Sequence, residues 1–302
     1  MRVVRYCAGG GAALGVLGDE GRSLLNIDEA LGIETGGEIC RLLDQWAPEF
    51  EGQLRASELA RPVSEAGLEI LAPCAPLRRN VFCVGKNYRE HALEFERSGF
   101  DSSSSDGSRN SSSDELPVIF TKATTSVIGP GQAICAHRSL TKALDYEAEL
   151  AVVIGLGGRG ISKESAYEHV FGYTILNDIT ARDLQQGHKQ WFMGKSLDTF
   201  CPIGPWVVTA GETDASSLRI RSWVNDEPRQ DANTGELIFD IPTLISTISA
   251  GITLLPGDVI ATGTPSGVGL GFDPPRFLKP GDVVTVEIEG LGRLTNPVVG
   301  QK

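Results

Sequence analysis

LDYEAELAVVIG, residues 144–155, has the alternation of a β-strand that carries acid on one of its faces. Successive side chains of a strand point to opposite faces, so Asp145, Glu147 and Glu149 are predicted to share one face. Residues 150–154 are apolar on both faces, as expected of a strand that continues into a core. We therefore predict that this strand presents carboxylates at the edge of the core.

Carboxylates at the edge of a core repel one another and lose hydration, and both effects disfavour their charged forms. A bound divalent cation removes both penalties, and an all-oxygen site suits a hard ion such as Mg²⁺, Mn²⁺ or Ca²⁺. The competing interpretation is a solvated acidic strand edge, because an isolated Glu-x-Glu pattern is short and common. Residues elsewhere in the sequence are needed to choose between a metal site and a solvated strand edge.

Composition excludes several classes of partner. The 302 residues carry a net charge of −12 and the pI is about 4.9, which argues against binding to nucleic acid and to anionic membrane surfaces. No apolar run reaches membrane-spanning length. The six cysteines are scattered and form no C-x-x-C pair, which is typical of reduced thiols. We expect an intracellular protein, cytoplasmic or mitochondrial, since the N-terminus shows no signal-peptide pattern.

Two domains are predicted. Residues 1–75 contain short strands, Gly-rich turns and short helices, which indicates a small N-terminal α/β domain. Residues 76–302 contain many short strands and few helices, which favours a rolled or barrel-like β architecture. Within them, residues 98–115 are rich in Ser and Asp and nearly devoid of apolar residues. That composition predicts a flexible insertion, serving either a lid or no function at all.

Residues 86–97 are predicted to form a helix directly before this insertion. His91 and Glu94 are three positions apart, so they share one face of that helix. A carboxylate beside an imidazole orients the ring and raises its basicity, which is how a general base is built. The competing interpretation is an ordinary pair of surface neighbours.

The glycine run Gly155–Gly160 is a formal G-x-G-x-x-G after a strand, with Asp178 about 20 residues further on. This outline makes an NAD-binding protein a distant alternative. However, the preceding strand carries acids, and the helix signal at Ser162 comes after the last glycine. A pyrophosphate needs the helix N-terminus within the glycine run, so a tight β-turn is the better interpretation.

Three later segments carry polar residues at the ends of predicted elements. Asp178 stands at the end of a strand and is followed by a helical turn on which Arg182 and Gln185 share a face. Lys195 follows a glycine in a turn. Residues 262–269 form a Gly-rich turn whose hydroxyl and backbone N–H groups suit an anion.

In this order, the segments closely resemble the fumarylacetoacetate hydrolase family, and the resemblance runs from about Val81 to the C-terminus. The segments that carry it are VGKNYREHALE, DYEAELAVVIG, NDITARDLQ, GKSLDTFCPIGP and TGTPSGVG. KQWFMGKSLDTFCPIGP and PPRFLKPGDVVTVEIEGLG look most like the branch called fumarylacetoacetate hydrolase domain-containing protein 2, described as oxaloacetate tautomerases. The family's fold is a mixed β-roll, so the fold class implied is α+β, with a roll or barrel behind the small N-terminal domain.

The resemblance implies roles for individual residues where the motifs match. The implied metal ligands are Glu147, Glu149 and Asp178. The implied dyad of the lid helix is His91 and Glu94. The implied substrate-contacting positions are Arg182, Gln185, Lys195 and Thr264. Asp145 matches no usual ligand and is a candidate supporting residue, and the Ser-rich insertion departs from the family's pattern.

The implied chemistry is that of a 2-oxo acid bound to a divalent ion, in the first place Mg²⁺, which acts as a Lewis acid towards the enolate. Lys195 and Arg182 add positive charge where the oxyanion develops, and His91 moves the proton. The catalytic candidates are therefore His91, Glu94 and Lys195.

The resemblance favours an oxaloacetate keto–enol tautomerase. A C–C hydrolase of acylpyruvates or of fumarylacetoacetate, and an oxaloacetate decarboxylase, share the same enolate and remain open alternatives, as does a metal-binding protein with a degenerate site. The family usually forms homodimers, so a homodimer with a small-molecule 2-oxo acid as its substrate is expected.

Overall fold

The computed structural model describes residues 1–18, 21–63, 68–98 and 116–300. Apart from Ser98, the predicted insertion at 98–115 lies outside the described residues, so its flexibility stays a prediction.

Within the described residues there are nineteen strands, which are spread from the first residues to the last. In the first third they are β1 (Arg2–Ala8), β2 (Gly11–Gly18), β3 (Ser23–Asn26), β4 (Arg61–Pro62), β5 (Ile70–Leu71) and β6 (Val81–Gly85). In the middle they are β7 (Val118–Lys122), β8 (Val127–Ile128), β9 (Ile134–Cys135), β10 (Leu144–Asp145), β11 (Ala148–Ile154), β12 (Val170–Asn177), β13 (Thr180–Ala181) and β14 (Cys201–Thr209). In the last third they are β15 (Arg219–Val224), β16 (Glu227–Asn233), β17 (Val259–Ala261), β18 (Val283–Ile288) and β19 (Gly292–Val299).

The α-helices are short. They are α1 (Ile27–Leu31), α2 (Ile39–Asp44), α3 (Phe50–Ala56), α4 (Arg89–Arg97), α5 (Arg182–Gly187), α6 (Phe192–Lys195) and α7 (Ile241–Ser249). No helix within the described ranges is long and apolar enough to cross a membrane.

One large sheet organises the molecule. Its strand order is β4-β3-β2-β1-β14-β12-β11-β17-β6-β7, with β5 beside β1 and β8 beside β14, and a second sheet has the order β16-β15-β18-β19-β9. The predicted mixed α+β class, mostly sheet with few helices, is confirmed. Among the described residues the large sheet stays open, because its end strands β4 and β7 do not pair and no barrel closes.

The N-terminal strands extend the large sheet. β1 pairs antiparallel with β14 through Arg2↔Val208 and Val3↔Val207. The hydrogen-bonded ladder therefore continues from the first strand into the centre of the sheet, and the domain boundary near residue 75 stays a prediction.

The central strand β11 separates two apolar clusters. Leu150 and Val152 pack on the side of Ile245 from α7, whereas Val153 belongs to the cluster of Leu42 from α2. Successive side chains alternate between the faces, and burying one such aliphatic side chain contributes about 1.5–3 kcal/mol. Both faces of the strand are therefore covered by apolar side chains, and its N-terminal end leads from this core to the acidic residues.

Candidate active site

The acidic stretch is not one continuous strand. β10 pairs with β13, whereas β11 pairs with β12 and β17. In the gap between them, the Glu147 N–H donates to the Asn177 side chain at 3.0 Å and the Glu147 carbonyl accepts from the Asp178 N–H at 2.8 Å. The prediction of one continuous strand was therefore wrong, because at Glu147 the side chain of Asn177, on the adjacent strand, accepts the backbone N–H.

Three predicted metal ligands meet where β11 and β12 pair. Ala148 lies opposite Asn177 in the register, which brings the flanking acids together. One carboxylate oxygen from each of Glu147, Glu149 and Asp178 lies within 4.8 Å of the others, and all three side chains are buried. The sheet itself thus assembles the acidic triad of Glu147, Glu149 and Asp178.

Two buried cations neutralise part of this triad. Lys195 Nζ donates to Glu147 at 2.6 Å and to Asp178 at 2.8 Å, and Arg182 Nη1 lies 2.7 Å from Glu147. Burial alone raises the pKa of Glu147, but the charges of Lys195 and Arg182 outweigh it and lower that pKa to about 2. Burial likewise opposes the charge of Lys195, but Asp178 and Glu147 outweigh it and raise its pKa. Glu147 and Lys195 are therefore ionised in the folded protein.

Glu149 is held differently. Its carboxyl accepts a hydrogen bond from the Gly263 N–H at 2.9 Å. Burial first, and then the neighbouring Asp178 and Glu147, raise the pKa of Glu149 well above its ordinary value of 4.5. The third member of the triad consequently resists ionisation without a further cation.

The donor set fits a hard divalent cation. All its ligand atoms are carboxylate oxygens, which Mg²⁺ and Mn²⁺ prefer. A divalent cation held by Glu147, Glu149 and Asp178 would offset both the burial and the repulsion that keep Glu149 protonated, and metal ligands bind in their deprotonated form.

One pocket beside the triad collects most of the predicted site residues. Seven of the nine line it, namely His91, Glu147, Glu149, Arg182, Gln185, Lys195 and Thr264. The other two lie directly behind these, since Asp178 contacts Lys195 and Glu94 contacts His91.

Arg182 presents an unpaired donor in this pocket. Its Nε donates to Asp145 at 2.9 Å, and its Nη1 donates to Gln185 at 3.3 Å. Its Nη2 is buried and has no hydrogen-bond partner among the described residues. A buried guanidinium N–H without a partner costs free energy, and a ligand carboxylate would satisfy it.

The structure brings His91 and Glu94 into contact on α4. His91 Nδ1 lies 3.1 Å from Glu94 Oε2, and the other oxygen of Glu94 accepts the Gly267 N–H at 3.0 Å. Because the carboxylate binds Nδ1, the Nε2 of His91 is left to exchange a proton in the pocket. The Gly-rich turn therefore orients the dyad, a contact that sequence reasoning did not anticipate.

Asp145 supports Arg182. Besides the Arg182 guanidinium, its carboxylate accepts the backbone N–H groups of Tyr146, Gly269 and Leu270, at 2.9, 2.6 and 3.0 Å. It thus connects the Gly-rich turn to the Arg182 guanidinium.

Several residues at the site escaped sequence reasoning. Gln230 donates to Thr264 Oγ1 at 2.8 Å and so orients its hydroxyl. Trp191 lies against Gly85, where an added Cβ would come within 2.3 Å of the indole ring. Lys122 lies buried against Asp178. Of these, Lys122 had a usable signal, a charge at the end of a strand that begins with three apolar residues.

The glycine run Gly155–Gly160 forms turns and a bridge. Gly158 and Leu254 exchange backbone hydrogen bonds of 2.9 and 2.8 Å. The first helical residues after the run are Ala166–His169, a 3₁₀ turn. In residues 155–165, all of which are described, no helix N-terminus faces the glycines, so the run lacks the element that binds a pyrophosphate.

The stability of the metal-free protein should depend on pH through these groups. The raised pKa of Glu149 means that the folded state holds a proton which the unfolded state releases above 4.5, so the free energy of unfolding falls as pH rises from there. The lowered pKa of Glu147 acts in the opposite direction, and its stabilisation is lost as pH falls from 4.5 towards about 2.

Urea unfolding of chelator-treated protein between about pH 5 and pH 8 tests this expectation. Glu149→Gln should flatten the decline, because the amide does not titrate. Equal slopes for the two proteins would contradict the assignment of the proton to Glu149.

Comparison with known proteins places the chain among proteins of related sequence and structure. The family model described as Fumarylacetoacetate (FAA) hydrolase C-terminal matches residues 80–299. Oxaloacetate tautomerase YisK of Bacillus subtilis is 47% identical over 261 residues, which cover 85% of this chain and 81% of that protein.

Two solved structures are similar over the full length of this chain. The fumarylacetoacetate hydrolase of Exiguobacterium antarcticum has a TM-score of 0.81 and 39% identity, and the match covers 100% of both chains. The maleylpyruvate hydrolase of Sphingobium sp. SYK-6, in complex with manganese(II) and pyruvate, has a TM-score of 0.76 and 30% identity, again with 100% of both chains covered.

Proposed function

Because this chain belongs to the fumarylacetoacetate hydrolase family, and is an enzyme of the isomerase or hydrolase type, we propose that it is a metal-dependent oxaloacetate keto–enol tautomerase. The observation that carries the proposal is the buried Arg182 Nη2, which has no partner among the described residues and belongs to a side chain that lines one pocket with His91, Glu147 and Glu149. Such a pocket suits an anionic substrate from which a proton is removed. The similarity to oxaloacetate tautomerase YisK supports the choice of substrate.

The metal ligands in this proposal are Glu147, Glu149 and Asp178. The ion is Mg²⁺ or Mn²⁺, with Ca²⁺ as a hard-ion substitute, and manganese in the similar maleylpyruvate hydrolase supports a divalent ion. When bound, the ion supplies Lewis-acid charge next to the 2-oxo acid.

The chain's own residues bind the substrate and move its proton. Arg182 Nη2 binds a carboxylate of the substrate, and Lys195 supplies fixed positive charge where the oxyanion develops. His91 Nε2 removes the proton at C3 and returns it to the oxygen at C2, so one C–H bond is exchanged for one O–H bond. Glu94 holds the ring in the required tautomer through Nδ1.

A second candidate function is C–C bond hydrolysis. The similarity to a maleylpyruvate hydrolase favours it, since the same dyad can activate a water instead of moving a carbon-bound proton. Oxaloacetate decarboxylation is the third reaction that the same binding mode allows.

The homodimer expected of the family stays a proposal, which sedimentation of the purified chain tests.

A substrate screen separates these reactions. The purified protein, loaded with Mg²⁺ or Mn²⁺, is mixed with enol-oxaloacetate, keto-oxaloacetate and acylpyruvates, and both ultraviolet absorbance and products are measured. We expect loss of enol absorbance with the four-carbon acid conserved. Release of pyruvate and a second acid from acylpyruvates would favour the hydrolase, and release of CO₂ would favour the decarboxylase. Glu149→Gln is the control for uncatalysed tautomerisation.

A further inference from the structure

Lys122 is a fully buried lysine at the end of β7, behind the acidic triad. Its ammonium contacts an acceptor for each of its three donors. It donates to Asp178 Oδ1 at 2.5 Å and to the Ile179 carbonyl at 3.0 Å. The third acceptor is the backbone carbonyl of Lys195.

These contacts divide the two oxygens of Asp178 between different partners. Lys122 binds Oδ1, whereas Oδ2 accepts from Lys195 at 2.8 Å. Lys195 also donates to Glu147, so Oδ2 is the oxygen on the side of the other triad members. The contact with the Lys195 carbonyl further restrains the main chain that carries the second ammonium.

Core packing alone does not require a charge at this position. Burying an ammonium is costly, and replacing a buried ion pair by apolar side chains of similar volume is often neutral or stabilising. Four buried carboxyl groups, of Asp145, Glu147, Glu149 and Asp178, meet three buried cations here, of Lys122, Arg182 and Lys195. Lys122 is the one of the three cations that does not line the pocket.

We propose that Lys122 is a positioning residue that restricts Asp178 to one oxygen in the metal site, lowers the affinity for the ion and fixes the main chain of Lys195. The inference rests on the proposed metal-dependent function. Without the ammonium, both oxygens of Asp178 become available to a cation and one positive charge leaves its neighbourhood. An ion held by the triad would then bind more tightly, while Lys195 would lose the contact that fixes its main chain.

The test uses the full-length chain, with Lys122→Met and Lys122→Gln and with the exposed Lys163→Met as matched control. Mn²⁺ alone is the probe, and the free-ion signal in electron paramagnetic resonance measures its binding. We expect Lys122→Met to bind Mn²⁺ roughly tenfold more tightly, since a nearby like charge is removed. Turnover at saturating Mn²⁺ should fall roughly 10–100-fold. Lys163→Met should change neither quantity.

General destabilisation of the fold would lower both Mn²⁺ affinity and turnover. A higher affinity together with a lower turnover therefore distinguishes the proposed role from it. Lys122→Gln keeps hydrogen-bond donors without the charge, so it should show the tighter binding with a smaller loss of turnover. Unchanged or weaker Mn²⁺ binding in these variants would overturn the inference. The inference would also be overturned if neither variant folded in excess Mn²⁺, because Lys122 would then be required for folding itself. A wild-type chain that binds no Mn²⁺ would instead refute the proposed function itself.

Discussion

Replacing Glu149 with glutamine is expected to abolish metal binding and metal-dependent turnover while the fold is retained. Glutamine has the size of the protonated glutamic acid that this position favours without a cation. Its amide oxygen can still accept the Gly263 N–H. However, the amide cannot become the anionic ligand that a hard ion requires. We expect the affinity for Mn²⁺ to fall by more than roughly 100-fold, beyond the effect of losing an outer-shell partner.

Calorimetric titration with Mn²⁺ and turnover with enol-oxaloacetate measure these two effects. Glu168→Gln, at an exposed glutamate, is the matched control and should behave as wild type. Circular dichroism establishes whether the Glu149 variant is folded. Full activity in a folded Glu149→Gln protein, or in wild type treated with a strong chelator, would refute the metal site.

Replacing His91 with alanine is expected to reduce turnover by roughly 10²–10⁴-fold, the usual contribution of a positioned acid–base group. Metal affinity should barely change, because His91 is not a member of the acidic triad. Glu94→Ala should cost less, since Glu94 only orients and polarises the ring through Nδ1. The loss should lie in kcat rather than KM, because Arg182 retains its place in the pocket.

Steady-state kinetics of both variants, with the exposed His188→Ala as control, tests the dyad. Added imidazole should partly restore the activity of His91→Ala if only the proton-transfer group is missing. Near-normal turnover of both variants with oxaloacetate would exclude the dyad as the proton carrier. Lys195 would then become the leading candidate, and the hydrolase alternative would weaken with it.

The pocket also limits how the reaction begins. Its cavity volume is about 20 Å³, which is room for about one water molecule. We therefore expect a wall of the pocket to move when a four-carbon acid enters. Trp191 and α4 are adjacent in one wall, with the Phe95 and Trp191 rings 6.2 Å apart.

The amino-acid sequence by itself determined the components of the candidate site. Alternation along a strand and the three-residue spacing on a helix are local properties. The first predicted that Glu147 and Glu149 lie on one face, and the second predicted the same of His91 and Glu94. The order of the motifs indicated the family, and with it the mixed α+β fold. The spacings depend only on residues close together in the chain, whereas the family was indicated by several motifs along it taken together.

Tertiary structure alone decided what surrounds those residues. Lys122 reaches Asp178 across 56 positions, and Asp145 accepts the Gly269 N–H across 124. No local periodicity encodes such contacts, because they depend on which strands become neighbours. For the same reason the break between β10 and β11 was missed, since the side chain of Asn177 on the adjacent strand replaces the regular backbone pairing there. The open sheet, too, depends on which strands become neighbours, because its end strands β4 and β7 do not pair among the described residues.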